Sequence, residues 1–310
     1  MSLKSKIKNT IKLVFDRDFR IVLLTGRGKL AYMSDEDVVK HKYRYNLGKT
    51  LNLENPITYT EKLQWLKLYD HRPEYKQMVD KLAAKEFVKR RIGEEYIIPT
   101  LGIWDSPEDI NFDLLPDRFV LKCTHDSGGL VICKDRSKLD IEAVKLILKK
   151  CLERDYYLIH REWVYKDVPR KIIAEPYMED YVDGELRDYK FFTFSGVPKV
   201  LYIAQGRGTS KETTADFYDM NFNHLDLTID HEMSEQKPHQ PKNFEEMKNL
   251  ASILSKGTPQ LRVDFYEVNG KVYFGEMTFF HCSGFKSFTP NEWDYTFGEW
   301  LILPERTNED

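Results

Sequence analysis

The sequence predicts an α+β fold of two lobes with a helical N-terminal region, and three observations carry that expectation. Residues 1–75 are patterned as helices. After Pro99 the pattern changes to short alternating apolar runs such as RFVLKC (118–123), KIIAE (171–175), RDYKFFTFS (187–195) and VLYIAQ (200–205). Two of these runs have hairpin partners, LVICK after THDSGG and KVYFGEM after Asn269-Gly270. The boundaries this suggests are a helical region at 1–75, a linker helix and connection at 76–117, a small lobe at 118–175 and a large lobe at 176–310.

The helices come first. Thr58 and Glu61 have the spacing of a capping box, and Leu63, Leu66 and Tyr69 then recur at helical intervals. A second helix is expected from Asp80 to Ile92, with Ala84, Phe87, Val88 and Ile92 on one stripe and Gly93 as its stop. A long helix follows the first hairpin at about 138–154, the stretch 206–242 reads as polar and irregular, and residues 243–256 form a last helix before the closing hairpin.

Composition narrows the class of protein. Across 310 residues the apolar share is 41% and the net charge −3, enough for a substantial core and too balanced for general attraction to nucleic acid. The four cysteines form no CxxC pair, so buried free thiols in a reducing compartment are expected. No run of 18 apolar residues and no signal-peptide core occur, which favours a cytoplasmic location. Lys4, Lys6, Lys8 and Lys12 alternate with Leu3, Ile7, Ile11, Val14 and Phe15. That pattern suits a helix docked on the domain, and equally a peripheral contact with the inner face of a membrane.

Four constellations can carry chemistry. Lys81 and Lys122 form the first: Lys122 lies inside an apolar strand, where it needs an anion such as phosphate or a route to water at the strand edge. The second is THDSGG at 124–129, whose two glycines and exposed N–H groups could close over phosphate oxygens or simply make a hairpin turn. The third is Glu175-Pro176-Tyr177-Met178, a strand end that could border an adenine, with Asp188 placed to accept from ribose hydroxyls. The fourth weighs most. Asp264 and Glu276 sit in apolar strands with Arg262 nearby; paired carboxylates suit Mg²⁺, and a structural ion pair with Arg262 is the alternative.

Register decides that fourth reading. A two-residue Asn269-Gly270 turn would pair Asp264 with Gly275 and send the two acids to opposite faces. A three-residue loop, Val268-Asn269-Gly270, pairs Glu267 with Lys271 and sets Arg262 opposite Glu276, with Asp264 on the same face. The three-residue loop is the expectation.

The ordered set Asp80-Lys81, RFVLKC-THDSGG, EPYM, RDYKFF, RVDFY and FGEMTFFHCSG resembles the ATP-grasp superfamily. Within it the chain resembles the TupA-like family linked to teichuronopeptide and surface-polysaccharide synthesis, from about residue 55 to 304. The resemblance implies two lobes sandwiching ATP. Lys81 and Lys122 would then meet the phosphates, and Thr124, Ser127, Gly128 and Gly129 would form a mobile flap. Glu175, Tyr177 and Met178 would make the adenine hinge, and Asp188 would hold the ribose. Asp264 and Glu276 would ligate Mg²⁺, Arg262 would neutralise the transferring phosphoryl group, and Lys190 would reach phosphate or substrate. Thr278 stands where many ATP-grasp enzymes carry an asparagine metal ligand, so the second metal position is altered or family-specific.

The implied reaction joins a carboxylate, such as a uronic acid or saccharide precursor, to an amine from an amino acid or peptide through an acyl phosphate. It needs no protein nucleophile, which leaves His125 and His281 as substrate contacts or structural residues. Three other readings compete: a sugar kinase with the same ATP half, a glycosyltransferase, for which the chain lacks a DxD motif, and a non-catalytic nucleotide-binding scaffold.

Overall fold

The computed structural model of the chain describes residues 13, 15–180, 186–206 and 212–306. The basic stretch carrying Lys4, Lys6, Lys8 and Lys12 lies outside the described residues.

Five helices lead. They are α1 (Arg17–Thr25), α2 (Asp35–Leu47), α3 (Tyr59–Tyr69), α4 (Glu74–Val79) and α5 (Ala83–Ile92). The Thr58/Glu61 capping box at α3 forms as the sequence indicates. The helix expected from Asp80 instead begins at Ala83. Asp80 ends α4 and turns its carboxylate to accept from the backbone N–H of Leu82 at 2.9 Å, so a short polar corner separates two helices.

The small lobe is a four-stranded sheet of β1 (Gly102–Trp104), β2 (Phe119–Cys123), β3 (Leu130–Cys133) and β4 (Ile172–Pro176), in the order β1-β4-β2-β3. Helix α6 (Ile141–Leu152) packs Val144, Leu148 and Cys151 against Phe119, Leu121 and Cys123, all buried. It starts at Ile141 rather than 138 because the Asp140 carboxylate caps it, accepting from Ala143 N–H at 3.0 Å. A short helix α7 (Tyr156–His160) follows.

The large lobe is a six-stranded antiparallel sheet. In chain order its strands are β5 (Asp188–Phe194), β6 (Val197–Gln205), β7 (Thr214–Tyr218), β8 (His224–Leu225), β9 (Gln260–Val268) and β10 (Lys271–Thr278), arranged β10-β9-β5-β6-β7-β8. Alternation along β5 sorts the two faces. Phe191 meets Phe244 of α8 (Phe244–Ser255) with ring centroids 6.0 Å apart. Phe192 meets Phe297 of α9 (Glu292–Trp300) at 5.8 Å. Lys190 shares the Phe192 face, so that face is apolar at the α9 end and charged towards the small lobe.

Helix α3 belongs to the same core: Tyr59 and Leu63 are buried in it, and Thr60 N–H and Oγ1 both donate to the Asp294 carboxylate of α9 at 2.8 Å. The sequence hides β7 and β8, which fall in the stretch read as irregular. Asp216 lies at the centre of β7, fully buried, and is satisfied there by His224, Ser234 and Lys237. A buried acid flanked by polar residues does not look like strand.

The closing hairpin corrects the expected register. Lys271 pairs with Val268, so the connection is the two-residue Asn269-Gly270 turn with φ +52° and +77°, not a three-residue loop. Asn-Gly accepts two positive φ values at little cost, which is why the tighter turn wins. The pairing then shifts at Gly275, a bulge between Phe274 and Glu276, and Glu276 faces Asp264 while Thr278 faces Arg262. A Cβ at Gly275 would stand 3.1 Å from Asp264 O, so the bulge is best served by glycine. The bulge puts both carboxylates on one face by a different route from the one expected.

Candidate active site

The charged face of the large sheet looks across a cleft at β2 and the loop of residues 124–129. Two adjoining cavities occupy this cleft, one of 190 Å³ between the lobes and one of 590 Å³ towards α1 and α7. Ser127, Tyr165, Lys190 and Glu276 line both.

Lys81, Lys122, Ser127, Gly128, Gly129, Glu175, Asp188, Lys190, Asp264 and Glu276 all line the smaller cavity, so most of the residues singled out from sequence converge there. Lys81 Nζ donates to the carbonyl of Asp126 in the flap, and burial lowers its pKa. Lys122 Nζ donates to Glu175 Oε2 at 2.5 Å, and Lys85 meets Glu175 Oε1 at 2.6 Å. Burial would raise the Glu175 pKa, but the two ammonium groups outweigh it and hold the carboxyl below its ordinary range. At 190 Å³ this cavity is smaller than the roughly 300 Å³ lower end of ligand sites, and Ser127, Gly128 and Gly129 form part of its wall. Gly129 fixes how closely the flap lies on its support, since a Cβ there would come within 2.0 Å of Cys151 Sγ.

Three expected contacts are placed elsewhere. Thr124 turns into the lobe, donating to Pro169 O at 2.6 Å and accepting from Lys171 N–H at 3.0 Å. Tyr177 is held beneath the Arg118 guanidinium, 4.5 Å from its ring centroid, and neither Tyr177 nor Met178 lines the cleft. The Glu175 side chain spans two lysines rather than bordering a base. The apolar wall comes instead from Met78, Val79, Ile97, Ile98, Phe274 and Met277. His125 lies behind the flap, its Nε2 3.2 Å from Arg154 O.

Arg262 and Thr278 line the larger cavity, with Glu276 shared between the two. The Arg262 guanidinium meets Asp264 twice at 2.8 Å, Glu276 Oε1 at 2.8 Å, Thr278 Oγ1 at 3.0 Å and His281 Nδ1 at 2.7 Å. Lys190 Nζ adds a short bond to Asp264 Oδ2. Burial would lower the Arg262 pKa, but Asp264 and Glu276 reverse that and hold it further above its ordinary value. Burial pushes the Asp264 carboxyl up against the opposing pull of Arg262 and Lys190. Both sequence readings of these acids therefore have a physical counterpart: they are ion-paired to Arg262, and they converge in the cleft. Asp264, Glu276 and Thr278 supply only hard oxygen atoms, Thr278 Oγ1 lying 3.3 Å from Glu276 Oε1, a donor set that fits Mg²⁺ and not a soft metal.

Sequence reasoning passed over Lys85, Tyr165, Glu162 and Asp230, all of which line the cavities. Lys85 had a signal, standing one helical turn after Lys81. Asp230 had none, being one acid in an irregular stretch.

His281 gives a pH test. It is buried, and burial together with the Arg262 charge lowers its pKa to about 3 from 6.5. The folded state thus binds fewer protons than the unfolded chain between these values, and stability is lost as pH falls through that window. The contribution is about 1.4 kcal/mol per pH unit. His281→Asn, whose side-chain oxygen can still accept from Arg262, should flatten urea-unfolding stability between pH 6 and pH 4 by about that slope. An unchanged slope would contradict the assignment.

A sequence family described as TupA-like ATPgrasp matches residues 61–302, more than half of the chain. No curated protein sequence matches. Among solved structures, D-alanine–D-alanine ligase from Helicobacter pylori shares 13% identity at a TM-score of 0.44, covering 74% of this chain and 60% of its own. The Bacillus anthracis D-alanine–D-alanine ligase complexed with ATP shares 18% at 0.39, covering 65% and 54%. Phosphoribosylamine–glycine ligase from Thermotoga maritima shares 13% at 0.40, covering 66% and 48%. The chain spans less than two thirds of the length of each, and the family match alone carries the assignment. Among the described residues no helix is long and apolar enough to cross a membrane.

Proposed function

From the premise that this chain belongs to the TupA-like ATP-grasp family, we propose that it uses Mg-ATP to convert a carboxylate into an acyl phosphate and then into an amide. The observation that carries this reading is the convergence of Lys81, Lys122, Lys190, Arg262, Asp264 and Glu276 on one cleft between two lobes. The smaller cavity takes the nucleotide, its adenine against Met78, Ile98 and Met277 and its ribose near Asp188. Lys81 and Lys122 hold the phosphates, and Lys122 exchanges Glu175 for the nucleotide as it does so. Asp264 and Glu276, with Thr278, would hold Mg²⁺, which when bound offsets charge on the phosphate oxygens.

The acceptor carboxylate enters the larger cavity, where Arg262 orients it towards the terminal phosphate. Its oxygen attacks phosphorus and ADP leaves. Arg262 and Lys190 then face the charge that builds on the transferring phosphoryl group. The flap and Tyr165 exclude water from the acyl phosphate. The amine attacks the acyl carbon, forming the C–N bond while the C–O bond to phosphate breaks with its electron pair. Uronic acids or related saccharide precursors are the proposed carboxylates, amino acids or short peptides the proposed amines, and surface-polysaccharide synthesis the proposed setting.

The expected result is ADP release that needs both a carboxylate and an amine, measured over a panel of uronic acids and amino acids. ADP release with a hydroxyl acceptor and a phosphorylated product would replace this reading with a kinase, and UDP release from a nucleotide sugar would replace it with a glycosyltransferase.

A further inference from the structure

The 590 Å³ cavity carries a second feature that the reaction above does not use. Glu162, Asp230 and Glu276 are the carboxylates lining it, and Asp126, Glu175, Asp188 and Asp264 line the smaller cavity. Nearly all of them have a basic counterpart. Asp126 meets Arg154 at 3.1 Å, Glu175 meets Lys85 and Lys122, Asp188 lies 3.6 Å from Lys190, and Asp264 and Glu276 meet Arg262. Glu162 is buried beside Lys67 and Lys42.

Asp230 differs. Among the described residues no Lys or Arg pairs with it; its neighbours are the Tyr202 hydroxyl at 3.3 Å, the Cys282 thiol at 3.5 Å and His231 Nε2 at 3.6 Å. These hold the carboxylate in place, and His231 is the one of the three that can offset its charge, only when protonated. Its side chain keeps 17% exposure and lines the larger cavity. An enclosed carboxylate with no permanently charged partner lowers its energy by taking a cation from solution.

Two cations can be considered. Asp230, His281 and Cys282 present ligand atoms within 4.8 Å of one another, an arrangement a transition metal could exploit. The tautomer of His281 argues against it. Arg262 has only donors, so its 2.7 Å contact to Nδ1 makes that nitrogen the acceptor and places the ring proton on Nε2. Nε2 is the nitrogen that faces Cys282, at 3.6 Å, and with a proton on it there is no lone pair for a metal. An organic ammonium needs no such lone pair and is satisfied by the carboxylate and Tyr202 oxygens.

We propose that Asp230 binds the ammonium group of the second substrate, seating a primary amine in the larger cavity beside the carbon that Arg262 presents. This rests on the ligase reading above and adds the amine subsite to it. Asp230 orients the amine and discriminates for it; solvent takes the proton that the ammonium sheds before attack. The residues on either side support such a subsite. Tyr202 lies directly across the β5–β6 ladder from Lys190, so the amine end of the cavity is one strand away from the phosphoryl end. Thr228 pairs with Thr289 through two backbone hydrogen bonds of 2.8 and 2.9 Å, fixing the segment that carries Asp230.

The test compares two nucleophiles on the full chain with Mg-ATP and glucuronic or galacturonic acid. One is hydroxylamine, which is largely uncharged at neutral pH; the other is a mixture of the common amino acids. Asp230→Asn keeps the shape and the Tyr202 contact while removing the charge. The expected result is a fall of at least tenfold in the ratio of amino-acid-dependent to hydroxylamine-dependent ADP release, read as a rise in amine KM. Equal falls for both nucleophiles, or a ratio within twofold of the parent, would overturn the proposal. Stoichiometric zinc in the purified protein, lost in both Asp230→Asn and Cys282→Ser, would overturn it in favour of a metal centre. A parent protein that releases ADP with neither nucleophile, yet phosphorylates a sugar hydroxyl, removes the ligase reading itself and the amine subsite with it.

Discussion

Glu276→Ala is expected to lower Mg-ATP turnover by about 10²–10³-fold while leaving the folded state almost as stable as the parent. Glu276 stands where the two cavities meet, directly across from Asp264, and its side chain keeps 46% exposure. Its ion pair to Arg262 is therefore screened, and losing a screened pair costs about 0–1 kcal/mol. Arg262 also keeps the bidentate contact to Asp264. The loss falls on function because, in the proposed site, Glu276 would supply the accessible half of the oxygen set for Mg²⁺. Steady-state ADP release at several Mg²⁺ concentrations, beside a urea-unfolding curve, checks both halves. Turnover within threefold of the parent would contradict the role given to this carboxylate.

Asp264→Ala should behave differently, losing stability and turnover together. Asp264 is 1% exposed and accepts from Arg262 and Lys190, two cations that themselves lie in the buried sheet face. Removing the carboxylate leaves these charges without their main partner, a change that costs about 3–5 kcal/mol in buried pairs. Glu276 and Asp188 offset part of it, being close to Arg262 and Lys190 respectively. If the orphaned cation is the cause, Arg262→Met added to Asp264→Ala should recover a large part of the stability and none of the turnover. A double variant less stable than Asp264→Ala alone would show that packing, not charge, set the loss. The contrast between two acids on facing strands is a direct consequence of burial.

Much of this site can be read in the sequence, and the reasons differ by residue. Asp264, Glu276 and Lys122 stand out because a charge inside an apolar strand is costly and calls for a partner, whereas Lys190 comes from the family resemblance. The glycine flap is legible because Gly128-Gly129 follows such a strand. Register was harder. Asn269-Gly270 announces a two-residue turn, but the bulge that restores the alignment depends on Gly275, one small residue in a strand where several explanations compete. Thr124, Tyr177 and Met178 line neither cavity, because family position fixes where a residue sits in the chain but not which way its side chain turns. Tyr177 is drawn aside by Arg118, 59 residues earlier, a pairing no local pattern encodes. Strand β7 was hidden by Asp216, whose burial is made possible by partners eight to twenty-one residues further on.

The central claim is that the buried charges of the large sheet and the lysines of the small lobe act together on a phosphoryl group transferred to a carboxylate. Oxygen tracing tests it most directly. With a uronic acid labelled with ¹⁸O in its carboxyl group, an amino acid and Mg-ATP, the acyl phosphate route passes one labelled oxygen to each inorganic phosphate released. Mass spectrometry of that phosphate should show a single ¹⁸O per molecule alongside ADP and the amide. Phosphate carrying no label, or label retained in a phosphorylated sugar, would contradict the account.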